Sequence, residues 1–238
     1  MGDLYPGDIL ELIKSRRTIK NFLPKFVAWE KLARIIDAGR YAPSSGNVQN
    51  WKFIVCVDSG VKQKLADASY EQLEIAMAGA LIVVVAEPEK AERYYGLRGE
   101  RLYSVQNCAA AIQNMLLEAH SLGLGTRWVG AFEEEEVRSI CGIPENVRPQ
   151  AIIAVGYPKE VPPKPPKYPL ETVVYFHNWR SKMRDSNKYM QNYAAIMADN
   201  LGKMKTVFQE TGSTLAEKGK ALLASTKSKL KEIKKDKD

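Results

Sequence analysis

At 238 residues the chain is long enough for one well-buried α/β or α+β domain with an appendage, and its 45% apolar and 26% charged shares are those of a globular protein. Cys56, Cys108 and Cys141 are far apart, and His120 and His177 lack metal-ligand spacing, which argues against a disulfide framework, a CxxC motif and a zinc site and leaves three buried thiols. The net charge of +7 is unevenly held: residues 186–238 carry eleven lysines, no arginine and six acids, a net of +5, so the basicity does not argue that the body binds nucleic acid.

Residues 8–15 put Ile9, Leu12 and Ile13 on one helical face and deliver the chain to Arg16 and Arg17. Residues 29–41 repeat the helical pattern through Leu32, Ile35, Ile36 and Ala38 until Pro43 stops it. The pattern predicts a short buried strand at 53–57, a helix at 62–70 and a central strand at 80–86, where ALIVVVA is β-branched and Pro88 follows. The longest apolar run, 76–86, is too short to span a bilayer, and no charged-then-apolar leader opens the sequence, so a cytoplasmic location is expected.

The polar, aromatic stretch 87–100, with Gly96 and Gly99, reads as a mobile loop or short helix over a pocket. Residues 102–122 form the clearest long helix, its stripe running through Val105, Ala109, Ile112, Leu116 and Ala119 and widened by Met115 and Leu117, with Gly123 as its cap. A helix at 133–141, a turn at Pro144 and a buried strand at 151–155 follow. Prolines hold 158–169 extended, and 170–176 alternates into a final strand. The body, 1–180, ends near Trp179. Beyond it, in 181–238, Met190, Tyr193, Met197, Leu201, Met204, Phe208, Thr211, Leu215, Leu222, Leu230 and Ile233 keep mostly helical steps, which predicts one or two lysine-rich amphipathic helices interrupted near Gly212 and Gly219.

Three segments carry chemistry. Residues 15–22, SRRTIKNF, bring Arg16, Arg17 and Lys20 together with the Thr18 hydroxyl, and guanidinium forks suit a phosphate monoester as well as they suit a solvated basic turn. Residues 42–53, APSSGNVQNWKF, offer the Ser44 and Ser45 hydroxyls and the Asn47 and Gln49 carboxamides, which present both donors and acceptors to a flat polar-edged ligand; the plain alternative is a helix end and a Ser/Gly turn. Residues 123–132, GLGTRWVGAF, let a main-chain N–H approach a ring without a side chain intervening, and Gly123 and Gly125 serve equally as helix cap and turn. Neither a GxGxxG fingerprint nor a Walker motif is present.

These segments, in this order, resemble the FMN-dependent nitroreductases over about residues 9–175. The resemblance implies an α+β fold, a nitroreductase-like three-layer sandwich with an antiparallel-rich central sheet, carrying here a C-terminal helical extension. It assigns Arg16, Arg17, Thr18 and Lys20 to the FMN phosphate. Pro43, Ser44, Ser45, Asn47 and Gln49 match the PSSxNxQPW-like pattern that contacts flavin partly held by the other subunit, with Trp51 read as core and Asn50 replacing the usual proline. Gly123, Leu124, Gly125 and Thr126 fall beside the flavin pyrimidine and N5 edge. Lys164 or Lys167 completes the phosphate pocket, and Tyr94, Tyr95, Arg98 and Arg101 belong to a lid.

The implied protein is a homodimer with two FMN sites at its interface. Hydride passes from NAD(P)H through flavin N5 to a nitroaromatic, quinone or related electrophilic acceptor by a ping-pong scheme, with no catalytic side chain and no metal. A second reading from a different class is a flavin-binding scaffold or sensor that acts through its basic C-terminal helices on an anionic membrane or a protein partner.

Overall fold

In the computed structural model, which describes residues 8–182, four strands form one sheet: β1 (Trp51–Cys56), β2 (Ala80–Ala86), β3 (Gly125–Val129) and β4 (Arg148–Gly156). All pairings are antiparallel and the order is β1-β2-β4-β3. The two inner strands are the ones whose sequences are apolar on both faces: β2 is buried along its whole length, and β4 is buried from Ala151 to Gly156. Such runs demand cover on both sides of a sheet.

Alternation divides that cover. Ala80, Ile82, Val84, Ala151, Ile153 and Val155 pack with residues of α2 (Trp29–Arg40) and α5 (Ser104–Ser121). Leu81, Val83, Val85, Ile152 and Ala154 pack with α3 (Ser59–Asp67) and α6 (Glu134–Cys141). Helices on each face of an antiparallel sheet make the expected three-layer α+β sandwich. Val84 pairs with Ala151 but Val85 with Pro149, so Gln150 is an extra residue on β4; a bulge is where a proline, lacking an N–H, fits inside a sheet.

The helices end where their sequences say. Asp58 caps α3 by accepting from Val61 N at 2.9 Å, and Gly142 closes α6 in the left-handed region at φ 63°. Gly39 lets α2 lie close on α5, because a Cβ there would stand 2.8 Å from Met115 Cγ. Asn114 Nδ2 donates to the Ala38 carbonyl across the same contact, at 3.1 Å.

Several expectations are corrected. The buried face of α5 is Ser104, Asn107, Cys108, Ala111, Ile112, Met115, Leu116 and Ala119, whereas Val105 is exposed. The stripe is rotated because two polar residues at its N-terminal end are inside. Of the loop or short helix expected after β2, the helix is what forms, α4 (Pro88–Arg98), with Pro88 in its first turn and a break at Gly96, followed by a π turn over Gly99–Tyr103 into α5. Residues 125–129, read only as part of a glycine pattern, are a strand. Cys141 is half-buried and not an interior thiol like Cys56 and Cys108.

By its contacts the chain forms two units, Met1–Pro165 and Pro166–Asp238. The described part of the second holds a helical turn, α7 (Leu170–Val173), in place of the expected strand: Pro169 precedes it, Glu171 sits in its first turn, and Thr172 N donates to the Pro169 carbonyl at 2.9 Å. Tyr175 and Trp179 meet edge-on at 5.0 Å in the same unit. The lysine-rich helices expected in the tail, and the residues from Met190 to Ile233 that predicted them, lie outside the described residues. Among the described residues no helix is long and apolar enough to cross a membrane.

Candidate functional site

The first and third segments meet. Helix α1 (Ile9–Ser15) begins at Asp8, whose Oδ1 accepts from Leu10 N at 2.9 Å, and its last carbonyls are taken up by Arg17, whose Nη1 donates to the carbonyls of Lys14, Ser15 and Arg16 at 2.8–2.9 Å. The chain then runs beside β3: Ile19 N donates to the Thr126 carbonyl at 2.9 Å, and Thr18 bridges Thr126 in parallel. The approach needs Gly125, since a Cβ there would lie 3.0 Å from Ile19 Cβ and closer still to Ile19 Cγ1. Gly123, at φ 73°, makes the turn from α5 into β3, with Gly123 N donating to the His120 carbonyl at 3.0 Å.

Between these segments lies a cleft of about 250 Å³ lined by Arg16, Arg17, His120, Gly123, Leu124, Gly125 and Thr126. Its charge is one-sided. Among the described residues no carboxylate pairs with Arg16 or Arg17, and the buried Nε of Arg17 has no hydrogen-bond acceptor there. Burial and then Arg17 push the Arg16 guanidinium below its usual value. Burial, followed by Arg16 and Arg17, does the same to His120, whose Nε2 lies 2.9 Å from Ser15 Oγ. A cleft in which Arg16 and His120 are both held down by neighbouring guanidinium groups, with no carboxylate paired to the arginines among the described residues, marks a place for an anion.

The second segment forms a tight loop at residues 44–49. Asn47 N donates to the Ser44 carbonyl at 3.0 Å, Gln49 N to Ser44 Oγ at 3.1 Å, and Gln49 Nε2 to Asn47 Oδ1 at 3.0 Å. Gly46, Asn47 and Gln49 all take positive φ, at 53°, 56° and 47°. For non-glycine residues this is a costly conformation that surroundings must hold, and it presents the exposed Asn47 and Gln49 carboxamides at the surface. Pro43 is exposed ahead of the loop, and Trp51 behind it is buried as core.

Tyr95 of α4 lies over the loop, its hydroxyl against the spot a Gly46 Cβ would fill. Tyr95 also meets Tyr103 edge-on at 5.1 Å, and Arg98 Nε donates to Tyr103 Oη at 3.1 Å. Tyr94, Arg98 and Arg101 are exposed.

The site residues thus fall into two groups on one chain. The loop is fastened to Asn107, near the start of α5, and the cationic cleft lies at His120, in its last turn. Along the helix axis the two anchors are about 20 Å apart. Of the remaining candidates, Thr18 and Lys20 are exposed beside the cleft, Lys164 is exposed on the extended segment, and Lys167 belongs to the second unit.

Sequence reading missed His120 as a cleft residue and Asn107 as the loop's anchor. The signal for Asn107 was present: a carboxamide one residue before Cys108 on a helix whose other inward positions are small or apolar. For His120 the only signal was its place three residues before the cap Gly123.

Comparison with known proteins gives the context of this geometry. The model of the Nitroreductase family matches residues 13–87 and 75–157. A relative from Archaeoglobus fulgidus, provisionally named NADH dehydrogenase/NAD(P)H nitroreductase, is 35% identical over 157 residues, covering 64% of this chain and 87% of its own. The FMN reductase (NADPH) of Bacillus subtilis is 24% identical over 206 residues, covering 81% of this chain and 83% of its own. A crystal structure of a nitroreductase family protein from Clostridium difficile superposes with a TM-score of 0.64 at 27% identity, over 73% of this chain and all of that one.

Proposed function

The chain belongs to the nitroreductase family, and from that premise we propose that it is an FMN-dependent enzyme that carries hydride from NAD(P)H to a nitroaromatic, quinone or related electrophilic acceptor, with the flavin held between two copies of the chain. NAD(P)H-dependent oxidoreduction is the activity common to its relatives. The finer reading rests above all on the cleft at Arg16, Arg17 and residues 123–126, where unpaired cations and an orphaned Arg17 Nε adjoin a glycine-lined turn.

A phosphate monoester fits that chemistry. Arg16 would bind it in a charge-assisted fork, Arg17 would add its buried Nε–H, and the main chain at Gly123, Leu124, Gly125 and Thr126 would flank the adjoining ring. Thr18 and Lys20 extend the same rim, and Lys164, on the same unit, is the candidate to complete it. Bound FMN supplies the hydride-carrying centre, so that donor and acceptor use one space in turn and no side-chain nucleophile is required.

The second group supports the two-chain arrangement. Ser44, Ser45, Asn47 and Gln49 present amide and hydroxyl groups suited to a flavin edge, yet they stand about 20 Å along α5 from the cations of their own chain. A second copy brings its loop to this cleft and its tyrosines to the acceptor side, which makes Tyr94, Tyr95, Arg98 and Arg101 the lid. Exposed apolar residues on α1, Ile9, Leu10 and Ile13, favour association as well.

The visible spectrum of the purified protein, followed without oxygen as NADPH or NADH is added, tests the proposal. A flavin spectrum that bleaches supports it. A colourless protein that does not load with FMN overturns it.

A further inference from the structure

Behind the loop at 44–49 lies a run of side chains that the flavin reading does not use. Asn50 is fully buried, and its carboxamide is spent completely: Oδ1 accepts from Asn107 Nδ2 at 2.8 Å, and Nδ2 donates to Ser104 Oγ at 3.0 Å and toward the Glu87 carbonyl at 3.5 Å. Asn107 in turn clamps the loop at two points, accepting from Ser45 N at 3.0 Å and donating to Ser45 Oγ at 3.1 Å. Ser104 Oγ in turn donates to the Gly99 carbonyl at 3.0 Å. The Asn50 carbonyl accepts from Glu87 N at 2.7 Å.

The run is directional and closed: each donor has its acceptor, and among the described residues none of these side chains is left unsatisfied. A buried polar network in that condition fixes geometry firmly, and a partly satisfied one does not. What it fixes is specific. Among the described residues the loop's remaining hydrogen bonds are local to residues 44–49, so its left-handed Gly46, Asn47 and Gln49 depend on Asn107 for hydrogen bonding from outside, with Tyr95 packed against Gly46. The other branch reaches both ends of α4, Glu87 just before it and Gly99 just after it.

We propose that Asn50 is a positioning residue: through Asn107 it sets the loop that presents Asn47 and Gln49, and through Ser104 it joins that loop to the Gly99 turn beyond Tyr94 and Tyr95. The catalytic consequence rests on the flavin reading, and the structural content does not.

Hydrogen–deuterium exchange on the full chain, wild type and Asn50→Ala, with no flavin added, tests the structural content. Amides at 44–49 should exchange at least about tenfold faster in the variant, while those of β2 and β4 stay within about twofold. Ser104→Ala, which spares the Asn107 clamp, should loosen the Gly99 turn and leave 44–49 within about twofold. Exchange at 44–49 that is unchanged, or that rises only in step with β2 and β4, overturns the proposal; Asn50→Ser serves if the alanine variant does not fold.

In NAD(P)H–quinone turnover at saturating FMN, Asn50→Ala should lower kcat about tenfold with the quinone KM within about threefold, and should weaken FMN binding about three- to tenfold. A flavin-loaded variant with a loosened loop and an unchanged kcat overturns the catalytic role. A wild-type chain that takes up no flavin instead overturns the functional reading, and the exchange result then decides the positioning by itself.

Discussion

Ser15 Oγ lies 2.9 Å from His120 Nε2, which ties the last residue of α1 to the last turn of α5 directly beside Arg16 and Arg17. Burial and the two arginines hold His120 below the ordinary histidine value of about 6.5. Between that value and the depressed one, the unfolded chain binds a proton that the folded chain does not. The contribution of neutral His120 to stability is therefore complete above about pH 6.5 and is lost as pH falls through the folded value. Wild type should lose more thermal stability than His120→Gln between about pH 7.5 and pH 5, and saturating inorganic phosphate, by screening the arginines, should shrink the difference. Identical melting shifts in the two proteins would exclude this coupling.

Arg16 lines the cleft and makes no ion pair among the described residues, whereas Arg17 closes the end of α1. Arg16→Ala should thus weaken FMN binding by roughly 10- to 100-fold, the worth of a hydrogen bond to a charged group, and leave melting unchanged. Arg17→Ala should weaken FMN binding and lower the melting temperature together. Flavin fluorescence titration and thermal unfolding separate the two, and an Arg16→Ala protein with full affinity would put the phosphate elsewhere.

The elements of the sandwich were legible because β2 and residues 151–155 of β4 are apolar runs and because α2 and α6 carry clear periodic faces, while their layering was implied by the resemblance of the three motifs. The rotated face of α5 was not, since hydropathy assigns Ser104 and Asn107 to solvent and only their partner Asn50, distant in sequence, makes burial tolerable. The same blindness concealed the anchor of the 44–49 loop. Motif residues could be picked out in sequence, but their division between the two ends of α5 could not, because spacing along a chain carries no measure of which helix end each motif touches.

Gly46 combines a φ of 53° with the Tyr95 hydroxyl in the place a side chain would take, while Gly142, at φ 63°, has open space around it. Alanine at either position carries the left-handed penalty of about 1 kcal/mol, a melting shift of about 2–4 °C. Gly46→Ala must in addition displace Tyr95, so amide exchange in α4 should rise there and not in Gly142→Ala. Equal exchange in α4 for both variants would mean that Tyr95 does not rest on the loop.

The three thiols differ in a way that alkylation can read. Cys56 and Cys141 pack together on the α6 face of the sheet; interaction with Cys141 and burial push the Cys56 thiol up, and Cys56 in turn holds Cys141 down. Cys108, on the buried face of α5, is pushed up to about 12 by desolvation. Since the thiolate is the nucleophile and only Cys141 is half-exposed, iodoacetamide at neutral pH should label Cys141 first, at least about tenfold faster than Cys108. Replacing the partner, Cys56→Ser, leaves a polar neighbour in place and should keep Cys141 reactive, whereas Cys56→Ala removes it and should slow its labelling. Peptide mass mapping reads the order, and modification of Cys108 or Cys56 ahead of Cys141 would show that burial and the Cys56–Cys141 pairing do not govern thiol reactivity.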